Sequence, residues 1–268
     1  MLSVQELDEL LPHVRQLVLS TGEFIRREKV SFTRSQAEIK GFNDLVSYVD
    51  RTAEDMLMAG FSNLVPSSGF INEESGTANA ERDYVWIIDP LDGTTNFVYD
   101  LPIFSISVGL QYKGEMALGL VYEINRDELF EAAKGKGATR NGNPIRVSGS
   151  TDFSQCLVAT GYPFREFDRV DDYLLILKQF MRQTKGIRRL GSAAVDLAYT
   201  ACGRFDGYFE ANLNAWDVAA GSLIVQEAGG MVTDYEGADN FVFGKSIVAG
   251  GAAIQNEMLR LIQSHLKK

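Results

Sequence analysis

The sequence predicts an α/β (α+β) protein of two closely packed lobes, and three observations carry that expectation. Apolar residues recur with helical spacing in some segments and strand spacing in others, and the two kinds alternate along the chain. After about Ser150 the pattern shifts from strands in succession to longer helices between single strands. With 268 residues, 45% of them hydrophobic and 23% charged, the chain has ample capacity for a buried core. The lobes are expected to meet near Val147 to Phe153, giving residues 1–147 and 148–268, and clefts that bind small molecules commonly form between such units.

Taken in order, Ser3 and Glu6 have capping-box spacing, and Leu7, Leu10, Leu11, Val14, Leu17 and Val18 follow on one helical face. Pro12 interrupts that face, so it should kink the helix or mark its true start. A second helix is expected from about Asp50 to Leu64 through Ala53, Leu57 and Phe61. Strands are expected at Tyr84 to Ile88, Ser105 to Tyr112, Met116 to Tyr122 and Leu129 to Ala133, with a turn-rich stretch from Gly135 to Pro144. Beyond it come a strand at Cys156 to Thr160 and helices around Tyr173 to Met181, Ser192 to Ala201 and Trp216 to Ala228. Short strands at Tyr208 to Glu210 and Ile247 to Ala249 precede a closing helix, Met258 to Leu266.

Composition excludes several classes of function. The net charge of −10, with basic residues scattered apart from Arg26-Arg27 and Arg188-Arg189, argues against nucleic acid as a partner. An acidic protein that handles phosphate needs cations to reverse the sign of its site. The only histidines, His13 and His265, lie near opposite ends in amphipathic segments, so a His/Cys zinc centre or a Ser-His-Asp triad lacks raw material. Cys156 and Cys202 read as buried free thiols of a reducing compartment. The acidic, amphipathic start is unlike a signal peptide, and no apolar run is long enough to span a membrane, so the expected location is cytoplasmic, with no membrane partner.

The chemistry is concentrated in Asp89-Pro90-Leu91-Asp92-Gly93-Thr94-Thr95-Asn96-Phe97. An apolar strand leads to Asp89, Pro90 is expected to stop its ladder, and Asp92 follows three residues later. Two carboxylates on one tight turn can reach the same side and share cations, with the Leu91 carbonyl between them. Oxygen donors of this kind suit Mg²⁺. If Gly93-Thr94-Thr95 opens a helix, its amides present N–H groups to a phosphate. An isolated D-x-x-D-G is an ordinary turn, but the nine-residue string is more specific.

That string resembles the signature of the inositol monophosphatase family, a group of metal-dependent, lithium-sensitive phosphatases. Ile71-Asn72-Glu73-Glu74-Ser75 resembles the family's upstream acidic motif, and Trp216-Asp217-Val218-Ala219-Ala220-Gly221 its downstream one, in the same order and separation. The similarity continues through Lys40 to Asp50 and Gly161 to Gly230. It implies a layered αβαβα sandwich of the sugar-phosphatase type, a homodimer, and two or three Mg²⁺ per subunit. Glu73, Asp89 and the Leu91 carbonyl would hold the first ion; Asp89, Asp92 and Asp217 the second; and Glu73 a third. By this placement the first lobe carries most metal ligands and the second carries Asp217. Thr94 would hold the attacking water and Asp50 would orient Thr94, while Gly93 and Thr94 would supply phosphate-binding amides. Asp92, Ala193, Glu210 and Asp217 match positions that contact substrate hydroxyls. The implied reaction is hydrolysis of myo-inositol monophosphate, or of another small polyol or sugar phosphate, by water, without a phosphoenzyme.

Other residues have plainer expected roles. Glu74 reads as a loop residue, Asp44 as a cap, Trp216 as packing that fixes Asp217, and Arg188 and Arg189 as solvated surface by default, with contact to substrate or a dimer partner as the alternative. Asn72 stands where the family often has glycine, and asparagine tolerates a left-handed backbone there. Lys40 lies one position from a lysine used by some members near the metals. The segment from Glu210 to Ala215 departs from the animal enzymes, which leaves inositol specificity open. Bisphosphate nucleotidase or fructose-1,6-bisphosphatase activity on the same metal site is an alternative, and a fold-retaining binding protein is another.

Overall fold

The structure is a computed structural model in which residues 4–41, 44–163 and 169–266 are described. Its first half comprises α1 (Val4–Lys29), β1 (Ala37–Gly41), β2 (Asp44–Ser47), α2 (Tyr48–Leu64), β3 (Gly69–Asn72), β4 (Gly76–Ala78), β5 (Tyr84–Asp92) and α3 (Thr94–Val98). Then come β6 (Ser105–Tyr112), β7 (Glu115–Glu123), β8 (Glu128–Ala133), β9 (Ala138–Arg140) and β10 (Asn143–Pro144). The remainder is β11 (Leu157–Thr160), α4 (Val170–Gln183), β12 (Gly186–Arg188), α5 (Ala193–Ala201), β13 (Gly207–Ala211), α6 (Ala215–Glu227), β14 (Met231–Thr233), β15 (Ser246–Gly250) and α7 (Ala252–His265).

Two sheets organise these elements. The larger runs in the order β10-β9-β8-β7-β6-β5-β3-β4 and is antiparallel except where β3 pairs with β5. The smaller runs β12-β11-β13-β15-β14, with β11 parallel to both of its neighbours. β1 and β2 form a separate hairpin.

The period-2 pattern of β5 explains the layering. Trp86 and Ile88 face the cluster built by α1 and α2, where Phe61 stacks on Trp86 with ring centroids 4.1 Å apart. Val85 and Ile87 face the opposite way, onto Ala215 and Ala219 of α6. Helices α5 and α6 fill the space between the sheets, touching Val121 and Phe130 on one side and Tyr208 and Ile247 on the other. α4 and α7 cover the outer face of the smaller sheet, packing Phe180 and Met258 against Phe209 and Val248. The layer order is therefore helix, sheet, helix, sheet, helix: an αβαβα sandwich. A Cβ on Gly119 would stand 2.6 Å from the Ala220 carbonyl oxygen, so glycine is what lets β7 lie this close to α6.

Several sequence expectations need correction. Pro12 lies inside α1, which runs from Val4 to Lys29, so it does not mark the start of the helix. Burial of Leu7, Val14, Val18 and Ile25 outweighs the roughly 3 kcal/mol that an interior proline costs. Pro90 does not stop its ladder either. β5 runs on to Asp92, and the register against β6 shifts between Asp89 and Asp92, so the proline sits within that irregularity. The turn-rich stretch after Gly135 holds the β9–β10 hairpin, and the last helix begins at Ala252 rather than Met258. Asn72 needs no left-handed backbone: it ends β3 in pairing with Ile88, and Gly76 takes the positive φ of +78°. Ser3 and the side chain of Asp44 lie outside the described residues. Cys156 and Cys202 are free thiols, but only Cys156 is buried; Cys202 is half-buried. Among the described residues no helix is long and apolar enough to cross a membrane.

Candidate active site

At the end of β5 its two acids emerge beside the residues that precede α5 and α6. Glu73 follows β3, and its N–H donates to the Ile88 carbonyl (3.2 Å), which sets it beside Asp89 across the parallel pair. The two carboxyl groups sit close enough to act on each other electrostatically. Asp89 Oδ1 also accepts from the Leu91 amide at 3.0 Å. Asp92 Oδ2 accepts from the Ser192 hydroxyl (2.6 Å) and the Ala194 amide (2.7 Å), and the Ala193 amide also reaches it. Asp92 is thereby locked to the first turn of α5. Asp217 occupies the first turn of α6, where Oδ2 accepts from the Asn214 amide at 2.6 Å.

Thr94 stands next to these acids. Its hydroxyl lies 3.0 Å from Asp50 Oδ1 and 3.1 Å from the Leu91 carbonyl. One proton serves one acceptor at a time, and the carboxylate is the stronger of the two. Asp50 is itself fixed by the Ser47 amide (2.9 Å) and hydroxyl (2.6 Å) at the start of α2. Gly93 sits at φ +96°, and a Cβ there would meet the Ile103 carbonyl oxygen at 3.1 Å, so the turn between Asp92 and Thr94 requires glycine.

Glu73, Asp89, Asp92, Gly93, Thr94 and Asp217 line one cleft of about 510 Å³, together with Ala193, Glu210, Asp196 and Arg189. Among the described residues, six acids on its wall face one arginine. The electrostatic consequence is large. Burial pushes Glu73 and Asp89 well above the usual carboxylate range, and the charges of neighbouring acids push them further. Asp92 is pushed up to about 6 by burial, against its hydrogen bonds from Ser192 and Ala194. Glu210 is pushed up to about 8 by burial, although the Tyr208 hydroxyl donates to its Oε2 at 2.7 Å. No three carboxyl, imidazole or thiol groups among the described residues converge as tightly as an enclosed metal would draw them. The donor chemistry nevertheless fits a hard divalent ion: every candidate ligand is oxygen, and crowded carboxylates with little basic compensation are what a cation would relieve.

All the site residues expected from the sequence line this cleft except Asp50, which acts behind Thr94. Arg189, expected as solvated surface with a substrate contact as one alternative, lines it as well. Lys40 donates to the Glu73 carbonyl (3.1 Å) and to Glu74 Oε2 (2.9 Å), which ties the β1–β2 hairpin to the acidic turn. Sequence reasoning missed Ser192, the partner of Asp92, although a serine before an apolar helix is a recognisable cap. It also missed Asp196, whose signal was an acid within the apolar run Ala193-Ala194-Val195-Asp196-Leu197. Glu54 escaped notice too; its carboxylate accepts from the Glu74 and Ser75 amides at 2.9 and 2.8 Å and steadies the turn after Glu73.

Known proteins share this arrangement of elements. Residues 6–267 match the inositol monophosphatase family. A protein of Neisseria meningitidis named putative Nus factor SuhB is 44% identical over 246 residues, which cover 91% of this chain and 94% of that one. An inositol-1-monophosphatase of Mesorhizobium japonicum is 38% identical over 258 residues, covering 96% and 97% respectively. The crystal structure of the extragenic suppressor protein suhB from Bartonella henselae superimposes with a TM-score of 0.91 at 38% identity, covering 96% of this chain and 100% of that one. With the family match spanning nearly its whole length, this chain belongs to the inositol monophosphatase family.

Proposed function

We propose that this protein is a Mg²⁺-dependent phosphomonoesterase that hydrolyses myo-inositol monophosphate or a similar small polyol or sugar phosphate. The observation that carries the reading is the meeting of Glu73, Asp89, Asp92 and Asp217 in one cleft beside a threonine held by a buried carboxylate. Glu73, Asp89 and the Leu91 carbonyl would hold one ion, Asp89, Asp92 and Asp217 a second, and Glu73 a third. Bound there, the ions would neutralise phosphate charge, acidify the attacking water and stabilise the leaving alkoxide.

The chain's own groups do the positioning. The Thr94 hydroxyl donates to Asp50, leaving its lone pairs to accept a hydrogen bond from water and aim it. The amides of Gly93 and Thr94 would donate hydrogen bonds to phosphate oxygens. Ala193, through its backbone, and Glu210, with Asp92 and Asp217, face the alcohol side. Glu210 lies in the space a side chain on residue 161 would fill, since a Cβ on Gly161 would fall 1.8 Å from its Oε1. Gly161→Ala is therefore expected to displace Glu210 and raise the KM for a polyol phosphate about tenfold, with kcat changed much less, in steady-state assays.

The test of the reaction is phosphate release, with and without Mg²⁺, from myo-inositol 1-phosphate, glycerol 2-phosphate, fructose 1,6-bisphosphate, adenosine 3′,5′-bisphosphate, histidinol phosphate and NADP. Magnesium-dependent preference for inositol 1-phosphate is the expected result. Preference for another compound keeps the reaction and reassigns the substrate. The Nus-factor name of the Neisseria relative favours a second reading, in which the chain serves as a partner-binding protein. Absence of release from every compound would move that reading to first place.

A further inference from the structure

Asp196 has a place on the cleft wall that the proposed reaction does not use. It lies in the first turns of α5, one turn beyond the Ser192–Ala194 segment that holds Asp92. The residue is 1% exposed, and its Oδ1 is sealed from solvent without a hydrogen-bond partner among the described residues. The charged groups that act on it are Glu210, Asp92 and Arg189, all of which line the same cleft. Its two acidic neighbours are both held, Asp92 by Ser192 and Ala194 and Glu210 by Tyr208.

A buried carboxyl group without a partner is costly, and an apolar or amide side chain at this point of an apolar helix would be cheaper. Such a group calls for a specific explanation, and its place on the cleft wall gives one. The excess of acids over arginine on that wall favours a ligand that donates hydrogen bonds. A hydroxyl does so without bringing a further charge into the interior, and Arg189 already supplies a cation beside the three acids. We propose that Asp196 is a specificity-determining residue that accepts a hydrogen bond from a substrate hydroxyl, so that the cleft prefers hydroxyl-rich ring alcohols to short acyclic ones. This inference rests on the phosphatase reading for its substrate class, and its test separates the two.

The variants are Asp196→Asn, which keeps a carbonyl acceptor, and Asp196→Ala, which removes it. In Asp196→Ala the preference in kcat/KM for myo-inositol 1-phosphate over glycerol 2-phosphate should fall about 10- to 100-fold, mainly through KM. Asp196→Asn should retain part of that preference. Neither variant should melt lower than the parent, because each removes an unpaired buried acid; a residue that only supports the fold would show the opposite. Equal losses on both substrates, or lower melting temperatures with no change in preference, would overturn the proposal. So would a loss confined to phosphoethanolamine, which would identify an ammonium site instead. If the parent protein releases no phosphate at all, calorimetry with myo-inositol 1-phosphate in Mg²⁺ decides. Weaker binding by Asp196→Ala than by the parent supports the subsite, whereas equal binding or none overturns it.

Discussion

Asp92→Asn is expected to lower phosphate release at saturating Mg²⁺ by at least about a thousandfold while leaving the fold intact. The carbonyl oxygen of asparagine can keep the contacts from the Ser192 hydroxyl and the Ala194 amide, which fix the side chain against α5. Its amide group then occupies the position of the other carboxylate oxygen. A negative acceptor is thereby replaced by a neutral donor where a divalent ion would bind. The fold should not suffer, because burial already penalises the Asp92 charge and raises its pKa to about 6. Phosphate release and thermal melting on the same preparation check both halves of the expectation. A variant that melts normally and retains more than about a tenth of the activity would remove Asp92 from the metal-binding set.

The second large effect concerns pH and metal together. In the metal-free protein Asp92 is raised to about 6, Glu210 to about 8, and Glu73, Asp89 and Asp196 stand above the carboxylate range, all chiefly by burial. In the unfolded chain the same groups ionise near pH 4. Between those limits the folded state binds more protons than the unfolded state, so stability must fall as pH rises. The contribution is complete below about pH 4 and is lost through pH 6 for Asp92 and through pH 8 for Glu210. Metal-free protein should therefore melt about 10 °C lower at pH 8 than at pH 5.5. Mg²⁺ should restore much of that loss at pH 8 and do little at pH 5.5, where protons still occupy the acids. A melting temperature that is flat or rising over this range without metal would contradict the electrostatic account of the cleft. A magnesium effect independent of pH would separate the ion from these carboxylates.

How much of this was legible in the sequence differs by element. Helix α2 and strands β5 to β8 were readable because each is long enough to show its own periodicity, and each buries one face or both in the core. Among the strands of two to five residues, β11, β13 and β15 were readable from their apolar runs, whereas β1, β2, β3, β4, β9, β10, β12 and β14 were not, because segments so short without such a run are extended only through the neighbour they pair with. Pro90, and Pro12 as a helix start, misled for a related reason. Local rules for proline are set by a single hydrogen bond, whereas α1 and β5 are held by tertiary burial that exceeds it.

The sequence by itself determined which acids to suspect, because Glu73, Asp89, Asp92 and Asp217 each lie in a local string whose residue types and order are specific. The tertiary structure decided which groups hold them and which others share the cleft. Ser192 meets Asp92 across a hundred residues of chain, Thr94 meets Asp50 across 44, and Arg189 and Asp196 reach the cleft only because α5 lies between the two sheets. Which acids to suspect is encoded in short spacing, which a linear reading preserves. Electrostatics and burial depend on distances through space, and those come into being only when the layers pack.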